Sequence, residues 1–474
     1  MTARGKEAAA LALHRFGFGP VGDSITAIAG DPRGALLADL DRASSARISV
    51  SLPSSGEAAR AVFDFRAEQQ AKQKLAQRIQ KATDADGEAQ AISDFAKTML
   101  MDAGPAAQKP PLPQQIIQSE AKARFDAAMS GDIGFVERLT WFWSNHLCIS
   151  ADKIPAMAGA YEREAIRPHV LGRFADLLLA AESHPAMLYY LDNVQSMGAQ
   201  SVAGINRDKG LNENLAREIL ELHTLGVRSG YSQADVTSFA NVLTGWTWVQ
   251  PGEPDHGGEF AFVKRLHQPG EQTVLGKRYP DTGVDQGRAV LADLARHPAT
   301  AEHIAQKLAR HFVADTPPPA LTAKLAKAFR ESDGNLKDVA KVLLSAEESW
   351  TPQRQKLKAP AEWIAGALRL TGAQQAIPIG RVMNAQATLG EPLWRPPAPN
   401  GYADTEAAWI DGVPHRLDIA NEFAGRVPGA DPLALLEASL GPLASSDTRE
   451  TVARAESRQQ ALALLVMSPE FLRR

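Results

Sequence analysis

Residues 212–226 read NENLAREILELHTLG and form the densest group of ionisable side chains in the chain. Asn212 is a favourable residue to cap the start of a helix, and Gly226 is well placed to end one. At about 100° per residue, the large apolar side chains of this stretch share one face. These side chains are Leu215, Ile219 and Leu222. The stretch therefore predicts an amphipathic helix, and similar apolar spacing over most of the chain predicts a mainly α-helical protein.

The opposite face of this helix is polar. Glu213, Arg217 and Glu221 follow one another at intervals of four residues. On an exposed helix, this spacing gives a ladder of ion pairs worth about 0.2–0.5 kcal/mol each. Packed against another helix, the same groups would form a structural Arg–carboxylate network. Glu218, on the same face, is a further carboxylate for catalysis or metal binding. The sequence leaves these three interpretations open.

His223 belongs to a different face of the predicted helix. It falls about 160° from Glu221, so these two side chains cannot readily bind one metal ion. We expect the His223 side chain to bond the backbone near the helix end. Ser232 and Asp235 have the spacing of a capping box, which predicts that a second helix folds back on the first. Asn214, on the polar side, suits a hydrogen-bond network between the two helices.

Composition limits the classes of function. The chain has 474 residues, with 51 Lys and Arg against 55 Asp and Glu, and a formal net charge of −4. This charge gives no reason to expect a nucleic-acid partner. The single cysteine, Cys148, excludes an intramolecular disulfide and a Cys/His zinc cluster. No stretch approaches the roughly 18 apolar residues that span a bilayer, and residues 1–14 make a poor signal peptide. The cytoplasm is therefore the expected location.

Composition also divides the chain into four parts. We expect an N-terminal helical segment over 1–56, a helical arm with a Pro-rich linker over 57–113, a main helical domain over 114–350, and a C-terminal helical region over 351–474. Turn residues at 84–87 predict an exposed helical hairpin within 57–103. A solvated or partly disordered linker is the alternative. The hairpin would offer a surface to a protein partner.

Residues 247–285 are the main non-helical island of the sequence. Aromatic and β-branched residues at 260–262 and 274–279 flank Gln268-Pro269-Gly270 and predict a short β-hairpin. Oxygen and imidazole ligands at 253–259, with His267 beyond, could bind a divalent metal, although their spacing matches no standard site. Elsewhere, His-Pro at 184–185 and at 297–298 predicts the end of one helix and the start of the next.

Several stretches resemble the bacterial DUF1800 family. The main match is 213–226, followed by GYSQADV at 230–236 and LTGW at 243–246. Supporting matches are HRFGFG at 14–19, WSNH at 143–146, YLDN at 190–193, HQPG at 267–270, LG at 275–276 and SPEF at 468–471. The resemblance implies little biochemistry, because the family is named for its unknown function. Many members look secreted and lie beside sulfatase-like partners of another uncharacterised family, whereas this chain lacks a convincing export signal.

Two functions are compatible with these observations. The first is an enzyme whose site lies where helix 213–223 faces the helix end at His146 and the segment 189–193. Glu218 or Glu221 would act as base or metal ligand, and Arg217 would position an anion. The full set of candidates is catalytic Glu218, Glu221, Arg217 and His146, and substrate-binding Asn214, Asp192 and Asn193. The second function is a non-catalytic helical scaffold or partner-binding protein. No nucleotide-binding, serine hydrolase or zinc peptidase motif is present, so reaction, cofactor and metal stay unassigned.

Overall fold

The protein is mainly helical, which confirms the prediction from apolar spacing. The computed structural model describes residues 3–42, 47–83, 110–205, 207 and 210–474. No helix within these ranges is long and apolar enough to cross a membrane.

Three groups of helices follow one another along the chain. The first group is α1 (Ala3–Arg15), α2 (Ser24–Ile28), α3 (Pro32–Asp41), α4 (Ser55–Thr83), α5 (Leu112–Ser130), α6 (Phe135–His146), α7 (Ala158–Tyr161), α8 (Phe174–Glu182) and α9 (Pro185–Tyr190). The second is α10 (Asn214–Glu218), α11 (Gln233–Leu243), α12 (Val284–Arg296), α13 (Pro298–Phe312), α14 (Pro319–Glu331) and α15 (Leu336–Ser345). The third is α16 (Pro360–Thr371), α17 (Ile379–Thr388), α18 (Val413–Gly425), α19 (Pro432–Ser439), α20 (Ser446–Ala453), α21 (Arg458–Val466) and α22 (Pro469–Leu472).

Two small antiparallel sheets occupy the predicted non-helical island. Strand β1 (Trp246–Trp248) pairs with β2 (Phe260–Phe262), and β3 (Gln272–Val274) pairs with β4 (Lys277–Tyr279). The prediction of a hairpin that turns at Gln268-Pro269-Gly270 is therefore wrong, because the strands on either side of that tripeptide belong to different sheets.

The turn between β3 and β4 is Leu275-Gly276. Both residues have a positive φ, 51° and 75°, as a two-residue turn of type I′ requires. Leucine gives no sequence signal for this conformation. The contact that holds it comes from another element, since Oδ1 of Asp235 accepts the N–H of Leu275 at 2.7 Å.

Histidine caps two of the helices. Nδ1 of His184 accepts the N–H of Ala186 at 3.1 Å at the start of α9, and Nδ1 of His297 accepts the N–H of Ala299 at 3.2 Å at the start of α13. The proline after each histidine occupies the first helical position, where a missing N–H is not needed. The His-Pro prediction is confirmed at both places.

Helix α4 is the described part of the predicted arm. Its first turns pack on the body, where Ala58 and Val62 form a small apolar cluster with Ala156. Every residue from 66 to 78 is exposed. The remainder of the predicted hairpin lies outside the described residues, so its second helix stays a prediction.

The buried apolar side chains form two large clusters. The larger one contains side chains from α1 through α15. The second joins α16 and the helices after it to Phe18, Phe125 and Trp141. Helices α5 and α6 contribute to both clusters and lie between them. The candidate functional site described below is at this junction.

The charged stretch 212–226 is helical but not uniformly α-helical. A π-helical turn, Ile219–His223, follows α10. A π-helix bonds residues five apart, so a wheel drawn at α-helical spacing misplaces the residues beyond Glu218. The expectation that the His223 side chain bonds the backbone is wrong: its Nδ1 lies 2.8 Å from Oε1 of Glu182, and both side chains are fully buried.

The predicted capping box is confirmed. Oγ of Ser232 accepts the N–H of Asp235 at the start of α11, and the Asp235 carboxylate accepts the N–H of Ser232. Helix α11 folds back on α10, as this motif predicted.

Candidate functional site

A small, half-open cavity of about 80 Å³ lies at the junction of the two apolar clusters. Its aromatic walls are Trp141, Trp394, Tyr402 and Trp409. Its polar and titratable wall residues include Arg124, Cys148, Gln386, Glu391 and Asp404. We call it the Glu391 cavity.

Arg124 of α5 lies between two tryptophans of the wall. Its guanidinium carbon is 4.4 Å from the ring centroid of Trp141 and 5.7 Å from that of Trp394, which are cation–π distances. Nη1 of Arg124 lies 3.3 Å from Oε2 of Glu162. Nε of Arg124 and Oε1 of Gln386 are buried and have no hydrogen-bond partner among the described residues. Most buried polar atoms in proteins are satisfied, so these two atoms are exceptions in the cavity wall.

Two glutamates line the cavity, and Glu391 is the one whose pKa is raised. Its Oε2 accepts the backbone N–H of Ala361 at 2.7 Å, in the first turn of α16. Burial raises the pKa of Glu391 to about 7, and the charge of Glu362 adds to the rise, whereas the Ala361 N–H and Arg124 oppose it. A carboxyl group with this pKa gains and loses its proton near neutral pH, as a general acid or base must.

The loop over residues 391–404 is fixed to α6 by Asn145. The Asn145 side-chain amide donates to the carbonyl of Tyr402 at 3.0 Å and accepts the N–H of Tyr402 at 2.8 Å. Gly401, with φ of 75°, passes so close that a Cβ would lie 2.4 Å from the Asn145 carbonyl oxygen. Trp394 also has a positive φ, 51°, and its carbonyl accepts a backbone N–H at 2.7 Å. Strained backbone held by several contacts is frequent at functional sites.

Each residue of the WSNH stretch at 143–146 makes a different contact. Trp143 packs in the larger apolar cluster, and Oγ of Ser144 donates to a buried glutamate at 2.9 Å. The asparagine fixes the loop. Nε2 of His146 lies 3.1 Å from the carbonyl oxygen of His223. A carbonyl can only accept, so Nε2 carries the proton, and Nδ1 is left as a bare, buried acceptor with no partner among the described residues.

The cavity wall also holds the residue types of a Cys–His–Asp hydrolase, but their contacts do not suit that mechanism. Sγ of Cys148 donates to the carbonyl of Pro399 at 3.2 Å. Burial raises the pKa of the Cys148 thiol to about 12, so little thiolate forms near neutral pH. Nε2 of His311 lies 3.2 Å from Nη2 of Arg138 and must accept, because arginine only donates. The Nδ1–H of His311 then donates to Oδ2 of Asp404 at 2.7 Å, so both ring nitrogens are occupied.

The Glu213–Arg217–Glu221 ladder lies at the surface. Arg217 pairs with Glu213 at 3.1 Å and with Glu221 at 3.5 Å, and all three side chains are partly exposed. Gln233 and Thr237 of α11 also donate to Glu213, at 2.8 and 2.7 Å. Of the three interpretations, these contacts match the structural network, which joins α10 to α11.

The predicted substrate-binding residues differ in their surroundings. Asn193 is buried, and its amide donates to two backbone carbonyls, at the end of α11 and in β1, at 3.0 and 2.9 Å. Asp192 is partly exposed and pairs with Lys153 at 2.6 Å. Asn214 is exposed.

Glu218 and His146 are the remaining members of the predicted catalytic set. The Glu218 carboxyl is partly buried, and its charge acts on Cys148 and on Tyr190. It has no hydrogen bond or ion pair with a described residue, and burial raises its pKa. Of the predicted catalytic set, Arg217 and Glu221 belong to the surface ladder, whereas Glu218 and His146 do not.

Sequence reasoning missed Glu391. It carries no local signal, because its cavity partners Arg124 and Cys148 lie far from it along the chain.

Metal binding receives no support from the island at 253–267. His256 contacts Glu259 at 3.2 Å in an exposed pair, and buried His267 lies 2.8 Å from the carbonyl oxygen of Thr244. Throughout the described ranges, no group of three or more His, Cys, Asp or Glu side chains is arranged to hold a metal ion.

The fold and the cavity together define a mainly helical protein with a half-open cavity lined by titratable side chains. The chain belongs to the DUF1800 family, described as a protein of unknown function, whose family model matches residues 11–473. The predicted family is thus confirmed over essentially the whole chain. No curated protein and no solved structure shows a significant match to it.

Proposed function

We propose that the protein is an enzyme in which Glu391 transfers a proton to or from a small substrate in the Glu391 cavity. One observation carries the proposal: the Glu391 carboxyl lines a half-open cavity whose wall also holds the Arg124 guanidinium and the Gln386 side-chain amide. Only Oε2 of Glu391 is hydrogen-bonded to a described residue, so Oε1 is available to a substrate.

The size and chemistry of the cavity define a substrate class. An apolar cavity of about 150 Å³ holds benzene. The 80 Å³ of this half-open cavity would therefore take a smaller group, or one end of a larger molecule that extends into solvent. Arg124 would donate to this group, Gln386 would accept from it, and the aromatic rings would pack on its apolar parts. We infer a small neutral molecule, or the end of a larger one, with both a donor and an acceptor, such as an amide or a hydroxy compound.

Two carboxyl groups of the cavity have opposite electrostatic surroundings. Glu391 exchanges its proton near neutral pH, as described above. Burial acts against the charge of Asp404, but His311 and Lys356 hold the pKa of Asp404 well below its ordinary value. Carboxyl groups whose pKa values are moved apart suit an acid–base pair. In this pair Glu391 would move the proton, and the fixed charge of Asp404 would stabilise positive charge that develops on the substrate.

The test uses Glu391→Gln, which keeps the shape of the side chain and removes its proton transfer. Incubation of the wild-type protein with a small-molecule cell extract, followed by mass spectrometry, should show the depletion of at least one small neutral compound. Because a general acid or base contributes about 10²–10⁴-fold to a rate, the variant should deplete this compound at least about a hundredfold more slowly.

The matched control is Glu302→Gln, a change at an exposed glutamate on α13. This control should behave like the wild type. Equal depletion by wild type and Glu391→Gln, or no depletion by either, would contradict the proposal.

A partner-binding scaffold is the second candidate function. The observation that favours it is the exposure of α4 from residue 66 to residue 78. The same extract experiment separates the two functions. If the protein is a scaffold, neither the wild type nor Glu391→Gln nor Glu302→Gln depletes any compound.

A further inference from the structure

We propose that a second cavity, between α16, α17 and α18, binds a neutral apolar molecule of about the size of a naphthalene derivative. This half-open cavity measures about 370 Å³. We call it the α16–α18 cavity. It shares no wall residue with the Glu391 cavity, so this inference and the proposed function can fail separately.

The wall of the α16–α18 cavity separates apolar from polar side chains. Its nine apolar residues are all buried or half-buried, whereas its six polar residues are all exposed. The apolar residues therefore form the floor, and the polar residues form the rim. All three helices contribute to the floor, with residues that include Trp363, Leu368, Val382, Ala385 and Ile419. A floor of this composition favours an apolar ligand.

The indole of Trp363 is held in place from outside the cavity wall. Its Nε1 donates to the carbonyl oxygen of Val466 at 2.8 Å, and the guanidinium carbon of Arg416 lies 5.5 Å from its ring centroid, a cation–π distance. Because its single donor is already used, the ring offers a ligand an apolar surface only. A ring that is already fixed also loses little conformational freedom when a ligand binds.

The charges on the rim balance one another. Arg381 and Arg426 are opposed by Asp418 and Glu422. Nη1 of Arg381, on α17, lies 2.9 Å from Oε1 of Glu422 on α18, and Nη2 of Arg426 lies 3.0 Å from the same oxygen. Both arginines are thus already paired with a carboxylate. The rim therefore has no net charge that would favour an anion or a cation, and a neutral ligand suits it best.

The volume of the cavity sets the size of the ligand. An apolar cavity of about 150 Å³ holds one benzene molecule. The α16–α18 cavity, at about 370 Å³, has room for two such rings. It also lies within the range of about 300–1,000 Å³ that is typical of small-molecule sites.

The test is a fluorescence titration of the full-length protein with N-phenylnaphthylamine, a neutral probe that brightens in apolar surroundings. We expect saturable binding of one equivalent. Anilinonaphthalene sulfonate has the same ring system with one added sulfonate. Because desolvating an unpaired charge is costly, we expect it to bind at least about tenfold more weakly than the neutral probe.

A pair of variants on α17 assigns the binding to this cavity. Ala385→Phe adds a ring at a half-buried wall position, and Ala387→Phe makes the same change at an exposed position outside the wall. Keeping even two CH₂-sized groups of a ligand from being buried costs about tenfold in affinity. Ala385→Phe should therefore bind the neutral probe at least about tenfold more weakly, whereas Ala387→Phe and Glu391→Gln should bind it like the wild type.

A second pair on α18 decides the question if Ala385→Phe does not fold. Ile419→Trp fills the cavity from a half-buried wall position, and Leu417→Trp is its exposed control outside the wall. Equal affinity for the neutral probe in the two members of a folded pair would overturn the inference. So would binding of the sulfonate as tight as that of the neutral probe. Sedimentation of the same samples tests a second copy of the chain as the occupant, and a wild-type dimer that dissociates in Ala385→Phe would also overturn the inference.

Discussion

Replacing Arg167 with methionine should lower the free energy of unfolding by about 3–5 kcal/mol, because the change leaves a buried carboxylate without its cation. Nη1 and Nη2 of Arg167 each lie 2.6 Å from an oxygen of Glu137, and Nη2 lies 2.8 Å from Oε1 of Glu162. All three side chains are at most 3% exposed. Glu162 keeps its ion pair with Arg124 in the variant, whereas Glu137 loses its ion pair and keeps, among the described residues, the hydrogen bond from the Trp141 N–H at 2.8 Å. Urea unfolding followed by tryptophan fluorescence measures the loss.

Two further variants distinguish burial from charge. Arg173→Met removes an exposed pair with Asp333 and should cost less than about 1 kcal/mol. Adding Glu137→Gln to Arg167→Met should recover part of the lost stability, because no buried charge is then left unpaired. A loss in Arg167→Met as small as that in Arg173→Met would show that the buried network does not stabilise the junction between α6 and the π-helical turn Glu162–Ile166.

Glu391→Gln should remove a pH dependence from the stability of the protein. The pKa of this carboxyl is 4.5 in its ordinary state and about 7 in the folded protein. Between these values the folded state binds the proton more tightly than the unfolded state, so this contribution is fully present below the lower pKa and is lost as pH rises through the higher one. The wild type should lose about 2–3 kcal/mol relative to Glu391→Gln between about pH 5 and about pH 8.

Other groups that titrate in this range contribute equally to the free energies of unfolding of the wild type and of Glu391→Gln. Their contributions therefore cancel when the two free energies are subtracted. Urea midpoints at closely spaced pH values give that difference. The urea midpoint of the exposed control Glu302→Gln should change with pH in the same way as that of the wild type. A difference between wild type and Glu391→Gln that stays constant with pH, or that grows in favour of the wild type as pH rises, would contradict a raised pKa for Glu391.

Local signals in the sequence predicted much of the helical structure. The capping box at Ser232 and the His-Pro boundaries were readable because each depends on residues within one helical turn. The π-helical turn Ile219–His223 was not readable, because no residue of the stretch demands it. The fully buried contact between His223 and Glu182 accompanies that turn. The helical wheel consequently gave the wrong surroundings for His223.

The candidate site was less predictable, because its residues come from distant parts of the sequence. Asn145 appears in the sequence as part of a family motif, but its partner Tyr402 lies 257 positions away. Glu391 has no pattern around it, since its pKa depends on burial and on Glu362 and Arg124 from other helices. The charged ladder at Arg217 attracted attention because its residues are close in sequence, and such proximity is typical of exposed helical pairs.

The most direct test of an acid–base site in this cavity is a titration of the Glu391 carboxyl itself. Glutamate isotopically labelled at the side-chain carboxyl carbon gives NMR signals that shift on ionisation, and the Glu391 signal is assigned by its absence from Glu391→Gln. We predict a midpoint at about pH 7. A midpoint near 4.5, the ordinary value for glutamate, would contradict the role of Glu391 as the proton-transferring group.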